Sequence, residues 1–174
     1  MLTESLDFKA ILAKAKELST EIRAKAPPPE SGGVSATESV IYFSLVRGTR
    51  GYIERLAHQI NGSYESGYYD ACAVMIRRLI ETLIIEAYEA HGISATIKDT
   101  NGDFLYLRDL ILAINNEASW TIGRNAKKSL DHLKLVGDKS AHSRRFNAQR
   151  QDIDKLTSDL RDVVQELSSL AKLK

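Results

Sequence analysis

Cysteine is almost absent from this 174-residue chain: Cys72 is alone, so no intramolecular disulfide can form. A thiol in so apolar a stretch reads as a small buried hydrophobe. Proline is nearly as scarce, three residues in one cluster at Pro27-Pro28-Pro29. Scattered breakers are therefore missing, as suits a helical protein. No run reaches the roughly 18 apolar residues of a membrane-spanning helix. The opening Met-Leu-Thr-Glu-Ser-Leu-Asp has no basic stretch ahead of an apolar one, which predicts no signal peptide and a cytoplasmic location. Glycine-rich phosphate loops are missing too, since Gly48 and Gly51 lack the lysine and the strand-to-helix setting. No Cys or His pair has zinc-ligand spacing, and no Glu-x-x-His pair suggests a di-iron bundle. Neither a metal nor another cofactor is expected.

What is present is helical periodicity. Phe8, Ile11, Leu12, Ala15, Leu18 and Ile22 predict a helix from Ser5 to Lys25, ended by the prolines. Three segments follow from this: an N-terminal helix over 1–26, a Pro/Gly linker over 27–35, and a helical bundle over 36–174. Within the bundle, Ser35 and Glu38 have capping-box spacing ahead of a helix over Ala36–Val46. Asn61-Gly62-Ser63 reads as a turn. The stretch from Tyr68 to Ala90 is apolar nearly all round, which places it inside a bundle. Its polar residues Asp70, Arg77, Arg78, Glu81 and Thr82 fall on one stripe. Asp103 is a candidate cap for a helix through Phe104 to Ile114, and Asn115-Asn116 ends it. A helix from Ile122 reaches Gly137–His142, and a last one carries Ile153 to Leu170. No segment has a convincing strand pattern, so the fold class is all-α, an antiparallel bundle with short loops and an additional N-terminal helix.

Charge is unevenly spread. Between Arg124 and Arg150 there are eight basic and two acidic residues, a net +6 within a chain of +1, so the remainder carries −5. Such an excess attracts phosphate, although long helices also carry Lys and Arg on solvated faces.

Two segments together resemble a known family: Tyr69-Asp70-Ala71-Cys72-Ala73-Val74-Met75-Ile76-Arg77-Arg78-Leu79-Ile80-Glu81, and Gly137-Asp138-Lys139-Ser140-Ala141-His142. They resemble the HEPN superfamily of small helical bundles, in particular the HEPN-like domain of unknown function found in prokaryotic defence and restriction-associated proteins. The resemblance implies a bundle, a homodimer, and a defence or RNA-linked role with RNA, a nucleotide or a protein as partner. Its active members are metal-independent ribonucleases with an arginine separated from a histidine by four to six residues. A histidine titrates in the working range, and a guanidinium steadies a charged phosphorane. His142 matches that histidine. The arginine has no match, since Leu135, Val136 and Gly137 lie upstream. Lys139, Arg144 and Arg145 are the nearby cations, and Arg77, Arg78, Glu81 and Asp138 are candidates for a substrate-binding or dimer cleft. Two function classes stay open: an RNA- or nucleotide-binding protein with ribonuclease activity possible, and a non-enzymatic dimerisation module that recruits a nuclease or ATPase.

Overall fold

The computed structural model describes residues 13–14, 16–18 and 38–174. The chain divides into two compact units, Met1–Val34 and Ser35–Lys174. In the first unit, residues 13–14 and 16–18 are helical. The rest of the helix expected over Ser5–Lys25 and the linker over 27–35 lie outside the described residues.

The helices of the second unit are α1 (Phe43–Val46), α2 (Gly51–Glu65), α3 (Tyr69–Ala90), a 3-10 turn (Ser94–Ile97), α4 (Leu107–Asn116), α5 (Arg124–His142), α6 (Arg150–Asp154) and α7 (Thr157–Leu170). Among the described residues there is no strand, only an isolated bridge between Lys98 and Phe104. The architecture is the all-α bundle that the periodicity implies.

Helix α3 is the axis, packed by α2, α4, α5, α6 and α7. Cys72, Ile76, Leu79, Ile80, Leu83, Ile84 and Ala87 are fully or almost fully buried. Left-handed glycines bracket it: Gly67 at φ +77 turns the chain into it, and Gly92 at φ +73 turns the chain out. At such φ values a Cβ would clash with the backbone. Helix α5 runs antiparallel to α3. The Ala148 N–H, just past the C-terminal end of α5, donates to Asp70 near the start of α3, Arg77 meets Asp138, and Trp120 ahead of α5 packs edge-on to Tyr88 near the end of α3.

The helices differ from the sequence expectations in four places. Ala36–Val46 is not one helix: residues 38–42 are irregular and only Phe43–Val46 is helical. Asn61 is the reason. It is fully buried, and its Oδ1 accepts the N–H groups of Val40 (3.0 Å) and Ile41 (2.9 Å) while its Nδ2 donates to the Ile41 carbonyl (2.9 Å). Arg161 holds the same segment from α7, donating to the carbonyls of Glu38, Ser39 and Val40 with its guanidinium stacked 3.6 Å from the Tyr42 ring centroid. Glu38 accepts the Phe43 N–H at 3.0 Å, so its carboxylate serves the start of α1. Asn61-Gly62-Ser63, expected as a turn, therefore lies inside α2, which continues to Glu65.

Asp103 does not cap α4. It closes a turn with Asp99, while Tyr106 precedes the first helical residue and Phe104 stays outside the helix under the Lys98 ammonium. The last predicted helix is two, interrupted at Lys155-Leu156 between α6 and α7.

Candidate functional site

The two segments that carry the family resemblance meet at one contact. Gly137 of α5 lies against Ala73 and Arg77 of α3, so close that a Cβ on Gly137 would sit 2.7 Å from the Arg77 Cβ and 3.1 Å from the Ala73 carbonyl oxygen. Beside it the charges pair. Arg77 Nε donates to Asp138 Oδ1 at 2.9 Å, Arg77 Nη1 lies 3.6 Å from Glu81, and Lys134 donates to the other Asp138 oxygen. Burial pushes the Asp138 carboxyl up, but hydrogen bonds from Lys134 and Arg77 outweigh it and hold the group below its ordinary value. Two of the stripe residues, Arg77 and Glu81, thus close with Asp138 and Lys134 of α5 into a half-buried ion-pair network. Arg78 is exposed, and only its carbonyl is engaged, by Thr82 Oγ1 at 2.9 Å.

The remaining candidates lie at one end of the bundle. Helix α5 stops at His142 because Ser143 turns extended, at φ −86 and ψ 122. His142, Arg144 and Arg145 are exposed, with no hydrogen-bond or ion-pair partner among the described residues. Lys139 is exposed too and sits over the Phe146 ring, 5.8 Å from its centroid. No ion pair or hydrogen bond joins His142 to Arg77 or Arg78. The guanidinium of Arg77 is committed to carboxylates, so the cations left beside His142 are Lys139, Arg144 and Arg145.

Past these residues the chain reaches a cleft of about 510 Å³ lined by Gly67, Tyr68, Tyr69 and Asp70 on one side and Asn147, Ala148 and Gln149 on the other. The start of α3 opens here without a side-chain cap. Its leading N–H groups carry the positive end of the helix dipole. Tyr68 is 68% exposed at this mouth. Of the nearby tyrosines, Tyr64 and Tyr69 pack against each other and Tyr68 does not. Tyr69 packs edge-on to Tyr64 at 5.8 Å, and Tyr64 donates to Asp154 and accepts from Arg150 Nε at 3.0 Å. Burial, with the Asp154 carboxylate adding to it, raises the Tyr64 phenol above its ordinary range. Tyr68 packs nothing comparable and faces outward.

Two more groups matter for the chemistry available. Burial pushes the Cys72 thiol up to about 12, so it offers no thiolate. Glu86 on α3 is buried, held by the Tyr52 hydroxyl and by Arg50 Nε at 3.4 Å. It lies off the charged stripe and was not legible as polar core from spacing alone. Among the described residues no three His, Cys, Asp or Glu side chains gather as metal ligands. None of the described helices is long and apolar enough to cross a membrane.

No curated protein and no solved structure matches the chain. A family model does match, over residues 58–174, from the second half of α2 through α7, and so spans both resembling segments and the residues that line the cleft. The chain belongs to the family described as Domain of unknown function (DUF4145).

Proposed function

We propose that this protein is a HEPN-like helical module that binds single-stranded RNA, as a homodimer, at the bundle end formed by the C-terminus of α5 and the start of α3. The defence or RNA-linked setting implied by the resemblance is part of the same proposal. The observation that carries it is the set of uncommitted cations there: Lys139, Arg144 and Arg145 are exposed and form no ion pair, beside an equally exposed His142. Exposed Lys and Arg side chains bind phosphate by releasing counterions, and the uncapped start of α3 adds backbone N–H donors to the same surface. Single strands suit this surface better than duplex, because an exposed aromatic such as Tyr68 stacks on unpaired bases.

Binding fits better than cleavage. A metal-independent ribonuclease needs a positioned cation beside its histidine, and the Arg77 guanidinium, the one held in fixed geometry on α3, is neutralised by Asp138 and Glu81. The test is fluorescence anisotropy on a labelled single-stranded RNA, with cleavage followed in EDTA. The expected result is salt-sensitive binding, weakened at least tenfold when Lys139, Arg144 and Arg145 are all changed to alanine, with the RNA intact. Absence of binding at low salt would refute the proposal. EDTA-resistant cleavage lost in His142→Ala would replace the binding reading with the ribonuclease reading.

A further inference from the structure

The cleft beside Tyr68 has more definition than a phosphate-binding surface requires. Its volume of about 510 Å³ lies within the range of small-molecule pockets and is large enough for a nucleobase with its sugar. Its mouth carries the exposed Tyr68 ring, and its walls carry two polar side chains with unused capacity. Asp70 Oδ1 accepts the Ala148 N–H at 2.9 Å, which leaves Oδ2 and a second lone pair on Oδ1. The Asn147 carboxamide has no hydrogen-bond partner among the described residues, whereas the Gln149 side chain is taken up in capping α6 and in a 3.2 Å bond to the Asn147 carbonyl.

We propose that this cleft is a base-recognition site for an unpaired guanine, stacked on Tyr68 and read by the Asp70 carboxylate. This inference rests on the RNA reading above. The selectivity follows from donor and acceptor chemistry. A carboxylate only accepts, so it needs an edge with adjacent donors. Guanine alone sets two N–H donors, N1 and N2, side by side on its Watson–Crick edge. Adenine and cytosine set one amino group beside an acceptor nitrogen, which repels the second carboxylate oxygen. Uracil flanks its single N–H with two carbonyls. Flipped-out bases in single strands are read in this way, with one face on an aromatic ring and one edge on polar side chains. Asn147 supplies both a donor and an acceptor for the remaining edge.

The experiment compares labelled octauridylate with the same strand carrying one central guanosine, adenosine or cytidine, on the full chain. The guanosine strand is expected to bind about tenfold more tightly than the other three, in keeping with one good two-point contact. Asp70→Asn keeps the acceptor for Ala148 N–H and is expected to erase that preference. Tyr68→Ala is expected to erase it as well, while Tyr68→Phe retains it. Equal binding of all four strands, or a guanosine preference that survives Asp70→Asn, overturns the site yet leaves the RNA reading standing. Should no strand bind, free 5′-GMP against 5′-UMP in ligand-observed NMR decides: Asp70-dependent binding of GMP alone upholds the base site while the RNA reading fails, and no binding of GMP overturns both.

Discussion

Gly137 and Arg77 leave no room between them: a methyl on the glycine would lie 2.7 Å from the arginine Cβ. Alanine normally favours a helix interior over glycine by about 1 kcal/mol. Here the atoms in the way are a Cβ and the Ala73 carbonyl oxygen, which move only if α5 lifts from α3. Overpacking of that kind costs about 1–3 kcal/mol. Gly137→Ala is therefore expected to destabilise the bundle by up to about 2 kcal/mol against its helix propensity. A lowered urea midpoint at unchanged m-value would bear this out; a raised midpoint would mean that the helices are not in contact there.

The ion pairs beside that contact predict a pH dependence. Hydrogen bonds from Lys134 and Arg77 hold the Asp138 carboxyl below its ordinary value of 3.8, against the opposing effect of burial. A carboxylate depressed on folding contributes stability that is fully present above its unfolded pKa and is lost as pH falls through the folded one. Asp138→Asn should therefore be less stable than the parent at pH 7, and the gap should narrow as pH drops below about 4. Thermal melts of both proteins from pH 7 to pH 2.5 measure it. A gap that stayed constant across that range would show that the network contributes nothing through ionisation.

Asn61 carries a prediction of a different kind, because its partners are backbone. With alanine there, the N–H groups of Val40 and Ile41 and the Ile41 carbonyl lose their side-chain partner inside the core. An unmade bond to a buried group costs about 1–3 kcal/mol. The expected loss for Asn61→Ala is about 3 kcal/mol or more, accompanied by faster amide hydrogen exchange at residues 40 and 41. Exchange unchanged at those two amides would show that Arg161 alone secures the segment.

Asn61 also shows where sequence patterns stop being informative. Asn-Gly-Ser has the local chemistry of a turn, but the demand on this asparagine is non-local, set by chain 20 residues earlier. The limits of α3 were legible for the opposite reason: its apolar run and flanking glycines are all local. Asp103 resembles a cap because caps are recognised by residue type, while the observed helix starts where Leu107 enters the core. At the candidate site, spacing grouped Arg77 with Glu81 on one helix, four residues apart. It gave no sign that Asp138, 61 residues on, would take the Arg77 Nε. Nor did an aromatic beside an apolar run announce itself as exposed, since Tyr68 and Tyr69 differ only in which way the start of α3 turns them.

Salt dependence separates cations that meet RNA from cations that hold the fold. Each phosphate neutralised on a single strand contributes about 0.7 to the slope of log affinity against log salt. Lys139, Arg144 and Arg145 are exposed and form no ion pair. Changing all three to alanine should reduce that slope by about 2. Arg77 is a cation too, but it is held by Asp138 and Glu81. Arg77→Ala should lower the unfolding midpoint while leaving the slope as it was in the fraction that stays folded. Anisotropy titrations at four salt concentrations, run with a melt of each variant, distinguish the two effects. A slope unchanged in the triple variant, or reduced as much by Arg77→Ala, would mean that the phosphate-binding surface lies elsewhere on the molecule.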